Sequence, residues 1–209
     1  SAVLSAESGD VGTIGIMVTE CKRMGIDVLP PSVNDSYSQF TVPPKLNKSD
    51  KYKIRFGLVT IKNFGQNIAT AIIEERKAKG KYKSLIDFLE RVKDRNLNKR
   101  SLESLIKAGA LDDFGERGQM LNNIEKLLSY HKESGTKVGN QDSLFSSMSD
   151  TSSVPALRLD AGPVATQKDK LLWEKELLGL YISGHPLDAH RAKFAEKDMN
   201  IKKLADLHE

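Results

Sequence analysis

The stretch from Phe56 to Ile73, FGLVTIKNFGQNIATAII, constrains this chain more than any other. Leu58 and Ile61 form an apolar pair ahead of a short polar turn, and Ala69, Ile72 and Ile73 follow at helical spacing. That pattern predicts a helix, a four-residue turn and a second helix packed back on the first. The turn is the functional part. Its backbone N–H groups and the positive end of the second helix are expected to point outward together, a geometry that suits one phosphate of a nucleic-acid backbone. Lys62 adds a full positive charge there.

Such an arrangement is a helix-hairpin-helix. Where the motif usually carries its first glycine this chain has Asn63, the non-glycine residue that best tolerates a left-handed backbone. The expected contact set is Lys62, Asn63, Phe64, Gly65, Gln66 and Asn67. A hairpin of this type can also be purely structural, and that reading stays open at this point. Charge moves the balance toward a polyanion. Between Lys45 and Lys107 there are 17 Lys and Arg against 7 Asp and Glu, whereas the whole chain carries only +4. Lys77, Lys79, Lys81 and Lys83 crowd the loop leaving the second helix, and Arg91, Lys93, Arg95, Lys99 and Arg100 crowd the next connection. Two neighbouring loops are thus expected to face one duplex, and Lys81 and Lys83 join the expected contacts. For any single lysine, a solvated surface is the plain alternative.

Composition excludes several classes. With 209 residues and 39% hydrophobic content the chain can build one or two small cores, and 6% aromatic content means that Leu, Ile and Val fill them. No apolar run approaches the ~18 to 20 residues that span a bilayer, and no export leader opens the sequence, which gives the expectation of a cytoplasmic protein. Cys21 is the one cysteine and sits on an apolar helix face, so packing is expected of it. His131, His185, His190 and His208 lack ligand spacing, so no metal and no cofactor are expected. The chain begins at Ser1-Ala2 and stops within the periodic stretch from Ile201 to Leu207, which reads as a piece of a longer protein.

The expected organisation has four parts. In residues 1–46, Val11, Ile14, Val18 and Cys21 mark a helix stopped by Gly25 and weakened by Gly12 and Gly15, followed by two short extended pieces around a polar turn. In residues 47–130 a brief strand, with Tyr52, Ile54, Phe56 and Leu58 alternating, enters the hairpin. Its second helix runs from about Gln66 to Ala78, with Gly80 as its stop. Ser84 with Asp87 caps the next helix, Asn98 caps one ending at Gly109, and a last helix covers about Glu116 to Tyr130. Residues 131–165 are rich in Ser, Gly, Thr, Asp, Lys and Asn and read as a flexible linker, interrupted by the island Gln141-Asp142-Ser143-Leu144-Phe145. A final helix, about Gln167 to Tyr181, is capped by Thr166 with Asp169, carries Trp173 in its core-facing set, and ends before Ser183-Gly184-His185-Pro186-Leu187. The fold class is therefore mainly α: a helix-hairpin-helix domain with short β pieces, preceded by a small α/β unit and followed by a linker and a helix.

Four blocks, CKRMGIDVLPPSVNDS, IRFGLVTIKNFG, NKRSLESLIKAGALDDFG and EKELLGLYISGHPLD, in this order and spacing, resemble the bacterial C-family replicative DNA polymerases, the family of the DNA polymerase III alpha subunit. The resemblance covers essentially the whole chain. It implies that residues 1–46 end a fingers domain, 47–130 form the helix-hairpin-helix DNA-binding domain, and 166–209 lead into an oligonucleotide-binding fold. It also implies that Gln141, Ser143, Leu144 and Phe145 belong to a sliding-clamp-binding motif within 131–165. The family's catalytic palm has no counterpart here, so no catalytic residue is carried over, and the magnesium that such polymerases use belongs to the parent enzyme. Asn63 departs from the family's usual glycine.

Two functional readings follow. In one, a non-catalytic segment holds double-stranded DNA through phosphates and tethers a replicative polymerase to its sliding clamp, beside other replicase subunits reached through the parent chain. In the other, the hairpin only packs and the linker motif alone acts, as a protein-interaction module. An independent enzyme is disfavoured, since no nucleophile, paired carboxylates or phosphate-cradling glycine loop is found. Asp112 and Asp113 are adjacent and read as solvent charges at a helix end.

Overall fold

A computed structural model describes residues 2–6, 11–44, 51–136 and 157–190. Eight α-helices and two short strands lie among them, so the chain is mainly helical. The first two helices, α1 (Ala2–Ala6) and α2 (Val11–Arg23), bring Leu4, Ile14 and Val18 to the core. Gly25 ends α2 at φ +72°, where only glycine is free of Cβ strain, and the Ile26 amide returns to the Cys21 carbonyl at 2.8 Å.

The chain then enters β1 (Asp27–Leu29), which pairs in parallel with β2 (Lys53–Arg55), Val28 opposite Ile54. On its other side Arg55 exchanges backbone hydrogen bonds with Thr41, so the second expected extended piece shrinks to one bridge. Ile54, Phe56 and Leu58 turn inward as the alternation predicts, while Tyr52 is exposed.

The first limb of the hairpin is not a helix, which corrects the sequence expectation. The Leu58 and Val59 amides donate to the Tyr37 and Ser38 carbonyls at 2.9 and 3.1 Å, and Ile61 and Phe64 each close a tight turn onto the residue three before. Donors captured by the neighbouring loop cannot start a helical ladder, so the limb is two successive turns. That close approach needs Gly57, since a Cβ there would lie 2.4 Å from the Ser38 carbonyl oxygen. The second limb is helical as expected: α3 (Gln66–Lys79) buries Ile68, Ala69, Ile72 and Ile73 and stops at Gly80, φ +79°. Arg76 of α3 is buried too, donating to the Val33 and Ser36 carbonyls at 2.7 and 2.8 Å.

Next come α4 (Leu85–Arg91), α5 (Lys99–Lys107), α6 (Arg117–Asn122), α7 (Ile124–Thr136) and α8 (Gln167–Leu178). Asn98 and Ser101 form a full capping box on α5, as do Thr166 and Asp169 on α8. At α4, Ser84 caps as expected, but Asp87 reaches back to the Lys83 amide instead of that of Ser84. The helix expected over 116–130 is two helices broken at Asn123. That side chain is buried, with Nδ2 donating to the carbonyls of Gln119 and Asp160, and Oδ1 accepting the Asp160 amide at 2.8 Å. Glu116 accepts the amides of Gln119 and Ala165, which together with Lys170 hold its carboxyl below the ordinary range although burial pushes the other way. Residues 157–165 are thereby fastened along α6.

Helix α8 ends at Gly179, φ +81°, earlier than the expected Tyr181. Leu171, Leu177 and Leu178 are buried, Trp173 is only half-buried under the Lys107 ammonium, and Leu172 is 54% exposed. Asp112 is not a free solvent charge: both its oxygens bind Arg117 at 2.7 Å. Among the described residues one apolar core runs from Leu4 to Leu180, with members on both sides of the divisions expected near 46 and 130.

Candidate phosphate-binding interface

The hairpin turn sits at the surface, with Lys62, Asn63, Gly65, Gln66 and Asn67 exposed and Phe64 turned inward into the core. Asn63 adopts φ +66°, the left-handed conformation expected of it, and among the described residues no other non-glycine does. A short amide side chain meets this geometry at lower cost than a β-carbon-branched one.

The turn also presents uncapped donors. The first amides of a helix have no partner within the helix. In α4, α5, α6 and α8 the side chains of Ser84, Asn98, Glu116 and Thr166 accept one of them. In α3 the N-cap is Gly65, which has no side chain to offer. The uncapped end opens into a recess of about 380 Å³ lined by Asn63, Gly65, Gln66, Asn67, Asn96, Asn98 and Ser101. Among the described residues no carboxylate lines it.

Two cations flank the turn. Lys62 is one, and among the described residues its ammonium has no ion-pair partner. Arg100, on α5, is the other, with Nη2 donating to Asn63 Oδ1 at 2.7 Å. The sequence showed Arg100 only as one member of a basic run; nothing local tied it to a turn 37 residues earlier. One expected donor is withdrawn: the Lys62 amide points inward and donates to the Leu177 carbonyl of α8 at 2.9 Å.

Lys81 and Lys83 are not brought to this turn. They follow the far end of α3, whose 14 residues put roughly 20 Å between them and Gly65. Lys81 is paired with Asp35 at 2.7 Å. Partial burial would raise the Asp35 carboxyl, yet Lys81, with Arg55 and Arg76 behind it, holds it below the ordinary carboxylate range. The basic run of the next connection is also partly committed. Arg91 lies over the Tyr82 ring and donates to the carbonyls of Glu75 and Gly80, Lys93 donates to the Ser134 carbonyl, and Lys99 pairs with Glu125. Gln141, Ser143, Leu144 and Phe145 lie outside the described residues.

Comparison with known proteins agrees with the geometry. Residues 25–120 match the family model described as a helix-hairpin-helix motif. The chain is 40% identical over 187 residues to the DNA polymerase III subunit alpha of Thermus aquaticus, covering 90% of this chain and 14% of that protein. It is 37% identical over 193 residues to the subunit of the same name from Deinococcus radiodurans, with 91% and 14% covered. A third, from Saccharopolyspora erythraea, is 35% identical over 215 residues, with 98% and 17% covered. The chain thus spans about one-seventh of the length of these relatives.

Proposed function

The chain corresponds, over nine-tenths or more of its length, to one segment of the DNA polymerase III alpha subunits, and on that premise we propose that it is a non-catalytic, duplex-binding segment of a bacterial replicative polymerase. The single observation that carries this reading is the uncapped N-terminus of α3, exposed between Lys62 and Arg100. Amides of Gly65, Gln66 and Asn67 can bind one phosphate while the positive potential of the two cations attracts its neighbours. Such contacts carry no base information, so binding is independent of sequence. Among the described residues no three His, Cys, Asp or Glu side chains gather to hold a metal ion.

Charge reversal at Lys62 tests the reading. Lys62→Glu is expected to weaken binding to unrelated duplexes alike by about tenfold at low salt, and to flatten the salt dependence by roughly two, one for the lost contact and one for the added repulsion. Fluorescence anisotropy reads both, and unchanged binding overturns the role of the hairpin.

The finer assignments belong to the same proposal: residues 1–46 as the end of a fingers domain, 47–130 as the DNA-binding domain, and 166–209 as the lead-in to an oligonucleotide-binding fold. Gln141, Ser143, Leu144 and Phe145 are assigned to the sliding clamp as a short peptide whose Leu-Phe pair enters an apolar pocket. Truncating Leu144 and Phe145 to alanine is then expected to abolish clamp binding with thermal stability unchanged. A drop in melting temperature with clamp binding intact would instead make the pair a latch on the fragment's own helices.

A further inference from the structure

The C-terminal carbonyls of a helix, like its first amides, have no partner within it. Leu177 is the penultimate residue of α8, and its orphan carbonyl is the acceptor for the Lys62 amide at 2.9 Å. Among the described residues this is the one backbone–backbone hydrogen bond that ties residues 61–66 to an element other than α3. The first limb of the hairpin has no helical ladder of its own, so an outside bond counts for more here than in a rigid helix pair.

Helix α8 is in turn held by a buried carboxylate. Glu174, 1% exposed, accepts the Ile182 and Ser183 amides at 2.9 and 3.0 Å and faces Arg117 of α6 at 3.6 Å. Those two amides fold the chain back after Gly179, which fixes the end of α8 against the core through Leu177, Leu178 and Leu180. Arg117, Glu174, the Leu177 carbonyl and the Lys62 amide therefore form a continuous line from α6 to the edge of the phosphate-binding turn.

Building on the hairpin reading above, we infer that α8 is a positioning element for that turn: it sets the orientation of residues 62–65, and so DNA affinity, without touching DNA. Glu174 is the positioning residue at its root. An element 115 positions away in sequence from the turn thereby makes the DNA-binding state dependent on docking of the C-terminal segment.

The test uses the full chain carrying Glu174→Gln, with Thr166→Ala as a milder variant that removes only the cap at the opposite end of α8. Backbone amide exchange, read by NMR without DNA, is expected to accelerate at Lys62 by about tenfold in Glu174→Gln while the amides of α3 and α5 keep their protection. Duplex Kd is expected to rise about fivefold, and Thr166→Ala to shift both readouts in the same direction by less. Unchanged exchange at Lys62 overturns the inference on its own. Faster exchange at Lys62 with unchanged duplex affinity overturns it as well, since the turn would then bind phosphate without the help of α8. A wild-type chain that binds no duplex overturns the hairpin reading and, with it, the effect on affinity; the DNA-free exchange measurement tells that failure apart.

Discussion

Arg117→Ala is expected to lower the free energy of unfolding by about 3–5 kcal/mol, the range for removing one member of a buried ion pair. Arg117 is 4% exposed and donates twice to Asp112 at 2.7 Å and once to the Lys107 carbonyl at 3.0 Å, with Glu174 at 3.6 Å. Burial works against its charge, but Asp112 and Glu174 outweigh that and hold the guanidinium above its ordinary pKa. Without it, Glu174 keeps two amide donors but loses its countercharge at a position only 1% exposed. Contrast Lys126 with Asp160, a pair whose side chains are 50% and 64% exposed; removing Lys126 is expected to cost less than about 1 kcal/mol. Urea denaturation with an unchanged m-value checks both. The double variant Arg117→Ala with Glu174→Ala should lose less than the sum of the singles, because Arg117→Ala alone strands the Glu174 carboxylate that the second substitution removes. A loss within about 1 kcal/mol for Arg117→Ala would show the network to be worth no more than a surface pair.

Leu58→Ala is expected to cost about 3 kcal/mol and to remove most duplex binding at temperatures where the chain is still folded. Leu58 is 0% exposed and lies in the core with Ile61, Phe64, Ile68 and Leu177. A helical limb would retain its own hydrogen bonds after such a truncation. This limb has only two tight turns, its bonds to the 37–38 loop and the single bond from the Lys62 amide to Leu177, so burial of Leu58 and Ile61 is a large part of what keeps the turn at its place beside α3. Val59→Ala, at a half-buried neighbour, is the control and should leave affinity near the wild-type value. Thermal melts and anisotropy on the same samples separate the two effects. Full duplex affinity in a destabilised Leu58→Ala chain would mean that the turn is held by its backbone alone.

Sequence by itself determined what short-range chemistry controls. The N-cap at Asn98 and the capping box of Thr166 with Asp169 lie within one turn of the helices they start, and the stops at Gly25 and Gly80 follow from the left-handed freedom of one residue. Asn63 at φ +66° and the run of α3 belong to the same class, as does the inward alternation of Ile54, Phe56 and Leu58. Tertiary structure decided wherever a donor or a charge found its partner far along the chain. The Leu58 and Val59 amides go to residues 37 and 38, which turned an expected helix into two turns. Asn123 is claimed by Asp160, which broke an expected helix in two. Arg91 and Lys81, read as surface charge, are spent on Tyr82, Glu75 and Asp35, whereas Arg100 is delivered to Asn63. Periodicity records which face of an element is apolar, but it does not record which distant backbone group will satisfy a given amide or guanidinium. Buried polar groups must nonetheless be paired, so the packing of the whole chain settles those partners, and with them which parts of the hairpin remain open to a phosphate.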